Sequence, residues 1–185
     1  SLCAKGDLCT TAPPPARQVR PAVRSILQRL EPTPALVLNV VSDVLAWNEP
    51  YARIGGPIGI LDADVPNLVR FTFTDPRARA AFPRWEVVAD EQVANLRAAG
   101  PPEAHAEQFV AEMMSVPEFA ARWAARPVAR KQTGTKALVH PEVGMLTLGF
   151  ETMQLPDADD QRLVVYLPAD DATAAALDRL EGRGP

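Results

Sequence analysis

The chain has 185 residues, enough for one domain with a sizeable core, and its 47% hydrophobic and 23% charged residues are ordinary for a globular protein. Its formal net charge of -4 argues against direct binding to duplex DNA, which proteins contact mainly through clustered Lys and Arg. The sequence contains neither an apolar run long enough to span a membrane nor a recognisable signal peptide. We therefore expect a cytoplasmic protein that makes no membrane contact.

Residues 1–16 have the composition of a linker. Pro13, Pro14 and Pro15 favour extended backbone and cannot sustain a helix. Cys3 and Cys9 lie in this segment, and a reducing cytosol would keep them as thiols, so we expect no disulfide and no metal site. The sequence begins with Ser1 and no helix cap, from which we expect that it is part of a longer protein or a processed chain. We place the folded domain at residues 17–181 and a short tail at 182–185.

The first part of the domain is predicted to contain a helix, a strand pair and then a series of helices. Apolar residues at helical spacing predict an amphipathic helix over 17–30. Short apolar runs at 35–39 and 44–47, separated by a turn signal, predict two paired strands. Prolines and glycines break the pattern between 48 and 75, where we expect short helical pieces that form a mobile cover. Further helices are predicted to begin at Asp75-Pro76 and to cover 84–98, 103–114 and a short segment capped by Ser115.

After Pro127 the period of the hydrophobic pattern changes from about 3.6 to 2, which indicates strands in place of helices. Strands are predicted at 135–139, 143–153 and 161–167, with Leu163 and Val165 facing inward. A final helix is expected over 172–180. Two early and three late strands with helices between them predict an α+β fold, in which helices cover an antiparallel sheet of about five strands.

Several short motifs together resemble the C-terminal ligand-binding domain of MmyB-like transcription regulators. The resemblance covers about residues 20–180 and is carried by the order and spacing of DVLAWN at 43–48, DPRAR at 75–79, Trp85, LR at 96–97, SVPEF at 115–119, Trp123, GTK at 134–136 and HPEVG at 140–144. One departure is Arg126-Pro127, where the family usually has a His-Asp or His-Glu pair, which puts a polar role at that step in doubt.

The resemblance implies a PAS-like sheet and a pocket for a small hydrophobic ligand such as a fatty acid. It also implies an N-terminal helix-turn-helix domain, which is missing from this sequence and is the only part expected to contact DNA. Residues 1–16 would then be the linker to that domain or its end. We expect the protein to be bacterial and to form a homodimer, without a metal or other cofactor.

The candidate ligand-binding residues are the large apolar side chains that a pocket between the sheet and the helices would use. For each of them alone, a place in the core is the simpler interpretation. Arg130 and Lys136 are candidate partners for a carboxylate head group, because a buried charge needs an opposite one, and Tyr166 is a candidate neutral donor. The simpler interpretation of these cations is a solvated basic face. The apolar candidates are Trp47, Phe71, Trp85, Met113, Phe119, Trp123, Leu148 and Phe150.

Enzyme function is not expected. The two histidines, His105 and His140, have no Cys or activated Ser signature near them, and the sequence contains no phosphate-binding glycine motif. The alternative to a sensor is a ligand-free module that pairs subunits or recruits a protein, because fold alone does not determine function. An apolar cavity favours the sensor, whereas a packed interior with an exposed apolar patch favours the module.

Overall fold

One antiparallel sheet of five strands organises the computed structural model, which describes residues 17–98, 104–128, 133–158 and 160–182. The strand order is β2-β1-β5-β4-β3, so the first and last strands of the chain are neighbours at the centre of the sheet. This arrangement confirms the predicted PAS-like α+β fold. The strands are β1 (Ala35–Leu38), β2 (Val44–Trp47), β3 (Thr133–His140), β4 (Gly144–Gln154) and β5 (Arg162–Pro168).

Eight helices accompany the sheet in the described part of the chain, and they include those expected at both ends of the domain. The predicted cap at Ser115 is wrong: Val116 is the N-cap of the helix that follows, and the Ser115 hydroxyl instead donates to the Glu112 carbonyl. The helices are α1 (Pro21–Arg29), α2 (Glu49–Ile58), α3 (Leu68–Thr74), α4 (Arg77–Ala81), α5 (Trp85–Ala98), α6 (Ala104–Met113), α7 (Pro117–Ala125) and α8 (Asp171–Leu180).

The segment 48–75, expected to contain short helical pieces, includes a ten-residue helix, α2, despite its proline and glycine content. Pro57 has no N–H to donate to the carbonyl of Arg53, four residues earlier. That carbonyl lies 2.9 Å from His140 Nε2, while His140 Nδ1 accepts a hydrogen bond from the Glu142 amide, so Nε2 carries the proton and donates. The buried histidine therefore supplies the donor that proline lacks, and it joins α2 to β3.

The two faces of the sheet are covered by different helices. Helices α2 to α5 and α8 pack on the inner face, against residues such as Val164 and Leu146. On the outer face, α1 packs through Val23 and Leu27 against one half of the sheet. Leu163 and Val165, which were expected to face inward, are buried under α1, because successive side chains of a strand point to opposite faces. A third apolar cluster joins α5, α6 and α7 beside the sheet.

Asn48 joins three elements through a single buried amide. Its Oδ1 caps α2 by accepting from the Tyr51 amide and also accepts from the Ala35 amide at the start of β1. Its Nδ2 donates to the carbonyls of Leu27 in α1 and Thr33 in the following turn. Asn is a favoured N-cap residue, and here its role extends beyond the cap to α1 and β1.

Replacing Asn48 by alanine is expected to lower the free energy of unfolding by about 3 kcal/mol, since it leaves two buried amides and two carbonyls without partners. Urea denaturation followed by circular dichroism measures this change. Asn95→Ala, on the exposed side of α5, is the matched control and should change stability by about 0.5 kcal/mol or less. Equal effects of the two substitutions would contradict the role assigned to Asn48.

Candidate ligand-binding site

A narrow cavity lies between the inner face of the sheet and helices α2, α3 and α5. It contains about 480 Å³ of space between atoms, including the part open to solvent at its mouth. The enclosed part has room for only a few water molecules, so a ligand as large as an acyl chain would have to widen it. The lining is mostly apolar and consists of Tyr51, Ile54, Ile60, Leu68, Phe71, Phe82, Gln92, Lys136, Leu138, Leu148 and Tyr166.

The sheet side of the cavity follows from strand register. Lys136 in β3 is opposite Leu148 in β4, and Tyr166 in β5 is opposite Phe150 in β4. Directly opposed residues of antiparallel strands share a face, as do residues two apart along one strand. The register thus brings Lys136, Leu138, Leu148 and Tyr166 together under the helices.

Lys136 places a cation in this apolar lining. Its side chain is half-buried, and Nζ lies 5.7 Å from the centre of the Phe150 ring. The pKa of Lys136 is lowered, mainly because burial removes water from the ammonium group; Glu91 opposes this shift and Arg162 adds to it. The charged form is therefore less well solvated than at the surface, and an anion bound beside it would relieve that penalty.

Two tyrosines form a stacked pair at the cavity, with ring centres 5.8 Å apart. Burial raises the pKa of Tyr166 to about 12, with Arg162 acting in the opposite direction. The pKa of Tyr51 is raised well above 10, first by burial and then by the neighbouring Tyr166. Both phenols are therefore un-ionised at neutral pH and are available as neutral hydrogen-bond donors.

Gln92, on the inner side of α5, is the remaining polar member of the lining. The residue is 8% exposed, and its Oε1 has no hydrogen-bond partner among the described residues. No group of three His, Cys, Asp or Glu side chains in the described ranges is arranged to hold a metal ion. The polar chemistry of the cavity is thus provided by an ammonium group, two phenols and an amide.

Residues 19–180 match the family model described as the MmyB-like transcription regulator ligand binding domain. The chain belongs to this family. The match includes every described element from α1 to α8, and with them the whole lining of the cavity. No curated protein matches the chain.

The cavity of this ligand-binding domain brings together Phe71, Lys136, Leu148 and Tyr166 from the residues predicted from sequence. Phe150 lies beside Lys136 but outside the lining. The prediction did not include seven lining residues, because most of them are ordinary apolar residues of helices and loops. These seven are Tyr51, Ile54, Ile60, Leu68, Phe82, Gln92 and Leu138.

The other candidates lie elsewhere. Trp85 is buried outside the lining and donates from its indole nitrogen to the Thr72 carbonyl at 2.8 Å. Met113, Phe119 and Trp123 belong to the cluster of α5, α6 and α7. Trp47 is 39% exposed on the edge strand β2. Arg130 lies outside the described residues.

The buried tyrosines predict an alkaline titration that reports on the cavity alone, since Tyr51 and Tyr166 are the two tyrosines of the sequence. In the folded protein, tyrosinate absorbance should stay low until about pH 12, whereas in guanidinium both phenols should titrate near 10. The unfolded chain releases these protons first, so stability is expected to fall as pH rises above about 10. Tyrosinate absorbance near pH 10 in protein that circular dichroism shows to be folded would contradict the burial of the pair.

Proposed function

We propose that this domain is the sensor of a cytoplasmic bacterial transcription regulator and binds a small amphipathic acid, such as a fatty acid, in the cavity. The observation that supports this most directly is the partly desolvated amine of Lys136 in a mostly apolar lining. An acyl chain would contact Ile54, Leu138 and Leu148, and its carboxylate would pair with the ammonium group. DNA would be contacted by an N-terminal helix-turn-helix domain.

Arg162 is a second cation whose charge acts on Lys136. Its charge helps to lower the pKa of Lys136. Burial lowers the pKa of Arg162 itself to about 10, and Tyr166 opposes this shift. Arg162 therefore stays charged at neutral pH. The two positive charges repel each other, and a carboxylate bound beside Lys136 would reduce that repulsion.

The narrowness of the cavity provides a mechanism for sensing. A ligand shifts a conformational equilibrium only by its difference in affinity for the two states. An acyl chain fits when the helices lie further from the sheet. Helix α3 contributes Leu68 and Phe71 to the helical side of the cavity. Binding would thus favour an arrangement in which α3 is displaced.

Asp43, in the turn between β1 and β2, connects α3 to the start of the domain. Its carboxylate accepts from the side-chain amides of Asn67, which caps α3, and of Asn39. It also lies 3.7 Å from the Arg17 guanidinium, four residues before α1 begins. Arg162 donates to the Asn39 carbonyl and the Ser42 hydroxyl in the same turn. We infer that a displacement of α3 reaches α1, and from there the DNA-binding domain, through this carboxylate.

A second candidate function is dimerisation through the outer face of the sheet. Val139, Met145, Met153 and Leu167 are exposed there, on the part of the face that α1 leaves uncovered in the described structure. Exposed apolar residues on one face of a sheet favour a protein interface there. Pairing of two copies through this patch is compatible with a ligand in the cavity, because the two sites lie on opposite faces.

The first experiment is native mass spectrometry of protein purified from its expression host, with extraction of released small molecules and addition of dodecanoate. A one-to-one complex with a fatty-acid-sized mass is expected, and the same spectra report a dimer if the outer face pairs. A protein that carries no such mass and binds no added dodecanoate would overturn the sensor proposal.

Lys136→Met is expected to weaken dodecanoate binding at neutral pH by about tenfold or more, because the carboxylate loses its buried counter-charge. Isothermal titration calorimetry measures the affinity. Arg24→Met, on the exposed side of α1, is the matched control and should leave the affinity unchanged. A K136M protein that binds dodecanoate as tightly as the wild type would contradict the assignment of the head group.

Asp43→Asn is expected to uncouple α1 from the cavity. The new side-chain NH₂ would face one of the two side-chain amides, of Asn39 or Asn67, that donate to the carboxylate, and that hydrogen bond would be lost. Hydrogen exchange of the α1 amides should change on addition of dodecanoate in the wild type and change little in D43N. Stability should fall by about 2 kcal/mol, and Asp171→Asn serves as the exposed control. The proposed route through Asp43 would be contradicted if D43N binds dodecanoate and its α1 amides still change their hydrogen exchange as in the wild type.

A further inference from the structure

The side-chain oxygen of Gln92 needs a hydrogen-bond donor, which a hydrocarbon chain does not provide. The residue lines the cavity and is 8% exposed, and its Oε1 lacks a hydrogen-bond partner among the described residues. A buried amide oxygen without a donor is unfavourable, because it has given up its bonds to water. A purely hydrocarbon ligand would exclude water further and leave this oxygen unpaired.

The neighbouring polar side chains do not supply this hydrogen bond. Lys136, Tyr51 and Tyr166 are the other polar side chains of the lining, and among the described residues none donates a hydrogen bond to Gln92. The amide oxygen and nitrogen exchange places when the amide turns by half a turn, so a partner that can both donate and accept suits either orientation. A group that enters the cavity would supply the missing partner of the observed orientation.

We propose that Gln92 selects a ligand that carries a hydroxyl group on its chain, in addition to the acidic head group at Lys136. This inference rests on the proposed function and identifies the ligand class as a hydroxylated aliphatic acid. A hydroxyl group can donate to Oε1 and accept from Nε2, so it fits either orientation of the amide. A second carboxylate offers acceptors alone and would add another buried charge, which makes it a poor partner for Gln92.

The expected preference for a hydroxylated acid over the unsubstituted acid can be expressed as a ratio of dissociation constants. A protein group built to bond a ligand hydroxyl discriminates against the analogue that lacks it, because the protein group is then left unpaired. A neutral hydrogen bond formed in place of an unpaired group corresponds to about a tenfold difference in dissociation constant. The difference should vanish when the amide is replaced by the similarly long but apolar side chain of methionine.

The experiment compares dodecanoate, 3-hydroxydodecanoate and 12-hydroxydodecanoate by isothermal titration calorimetry with the wild-type chain, Gln92→Met and Gln108→Met. Gln108 lies on the exposed side of α6 and provides the matched control. We expect at least one hydroxy acid to bind the wild type and Q108M about tenfold more tightly than dodecanoate does. In Q92M, this preference should be lost while dodecanoate binds at least as well as before.

Wild-type protein that binds dodecanoate and both hydroxy acids with equal affinity would overturn this inference and leave the proposed function standing. Wild-type protein that binds none of the three acids would overturn both. A hydroxy-acid preference that persists in folded Q92M would assign the selectivity to another group and would also overturn the role of Gln92. The wild-type comparison alone remains decisive if Q92M does not fold, and a thermal melt of each variant checks that point.

Discussion

The pairing of β1 with β5 at the centre of the sheet is the constraint on which the rest of the domain depends. The two strands are joined from Ala35 opposite Val165 to Leu38 opposite Arg162, although more than a hundred residues separate them in the chain. Alternation along β5 sends Leu163 and Val165 to α1 and Val164 and Tyr166 to the other helices. A register slip of one residue would exchange these sets, so the same pairing fixes the attachment of α1 and the wall of the cavity.

The cavity lining combines apolar side chains with polar and charged ones, a combination that is unfavourable in an ordinary core. Its apolar lining strengthens the interactions of any polar group inside it, and the same surroundings make an unpaired polar group costly. Burial lowers the pKa of Lys136 in the lining and of Arg162 near it, and the Oε1 of Gln92 has no hydrogen-bond partner among the described residues. A core selected for stability alone would replace such groups by apolar ones, whereas a binding site would keep them for a ligand, as we propose for Lys136 and Gln92.

The positions of the helices and strands followed largely from local patterns, as in the period-2 alternation that predicted β4 and β5. The exceptions depended on partners distant in the sequence. Helix α2 tolerates Pro57 because His140, eighty-seven residues away, bonds the carbonyl that proline leaves free. Trp85 and Trp123 were predicted beside a ligand on account of their size, yet their rings contact Arg79 and Arg97, respectively. Spacing along one helix identifies its buried face but does not identify the element that covers it.

The sequence by itself determined the fold class, the family and the presence of large apolar side chains with a cation near the start of β3, because these depend on composition, periodicity and motif order. Only the tertiary structure decided which side chains surround one cavity. Tyr51, Gln92, Lys136 and Tyr166 come from α2, α5, β3 and β5, and strand register together with helix packing brings them to one place. The physical reason is that burial and hydrogen-bond satisfaction belong to the assembled elements, so the unpaired amide of Gln92 has no signature in the residues next to it.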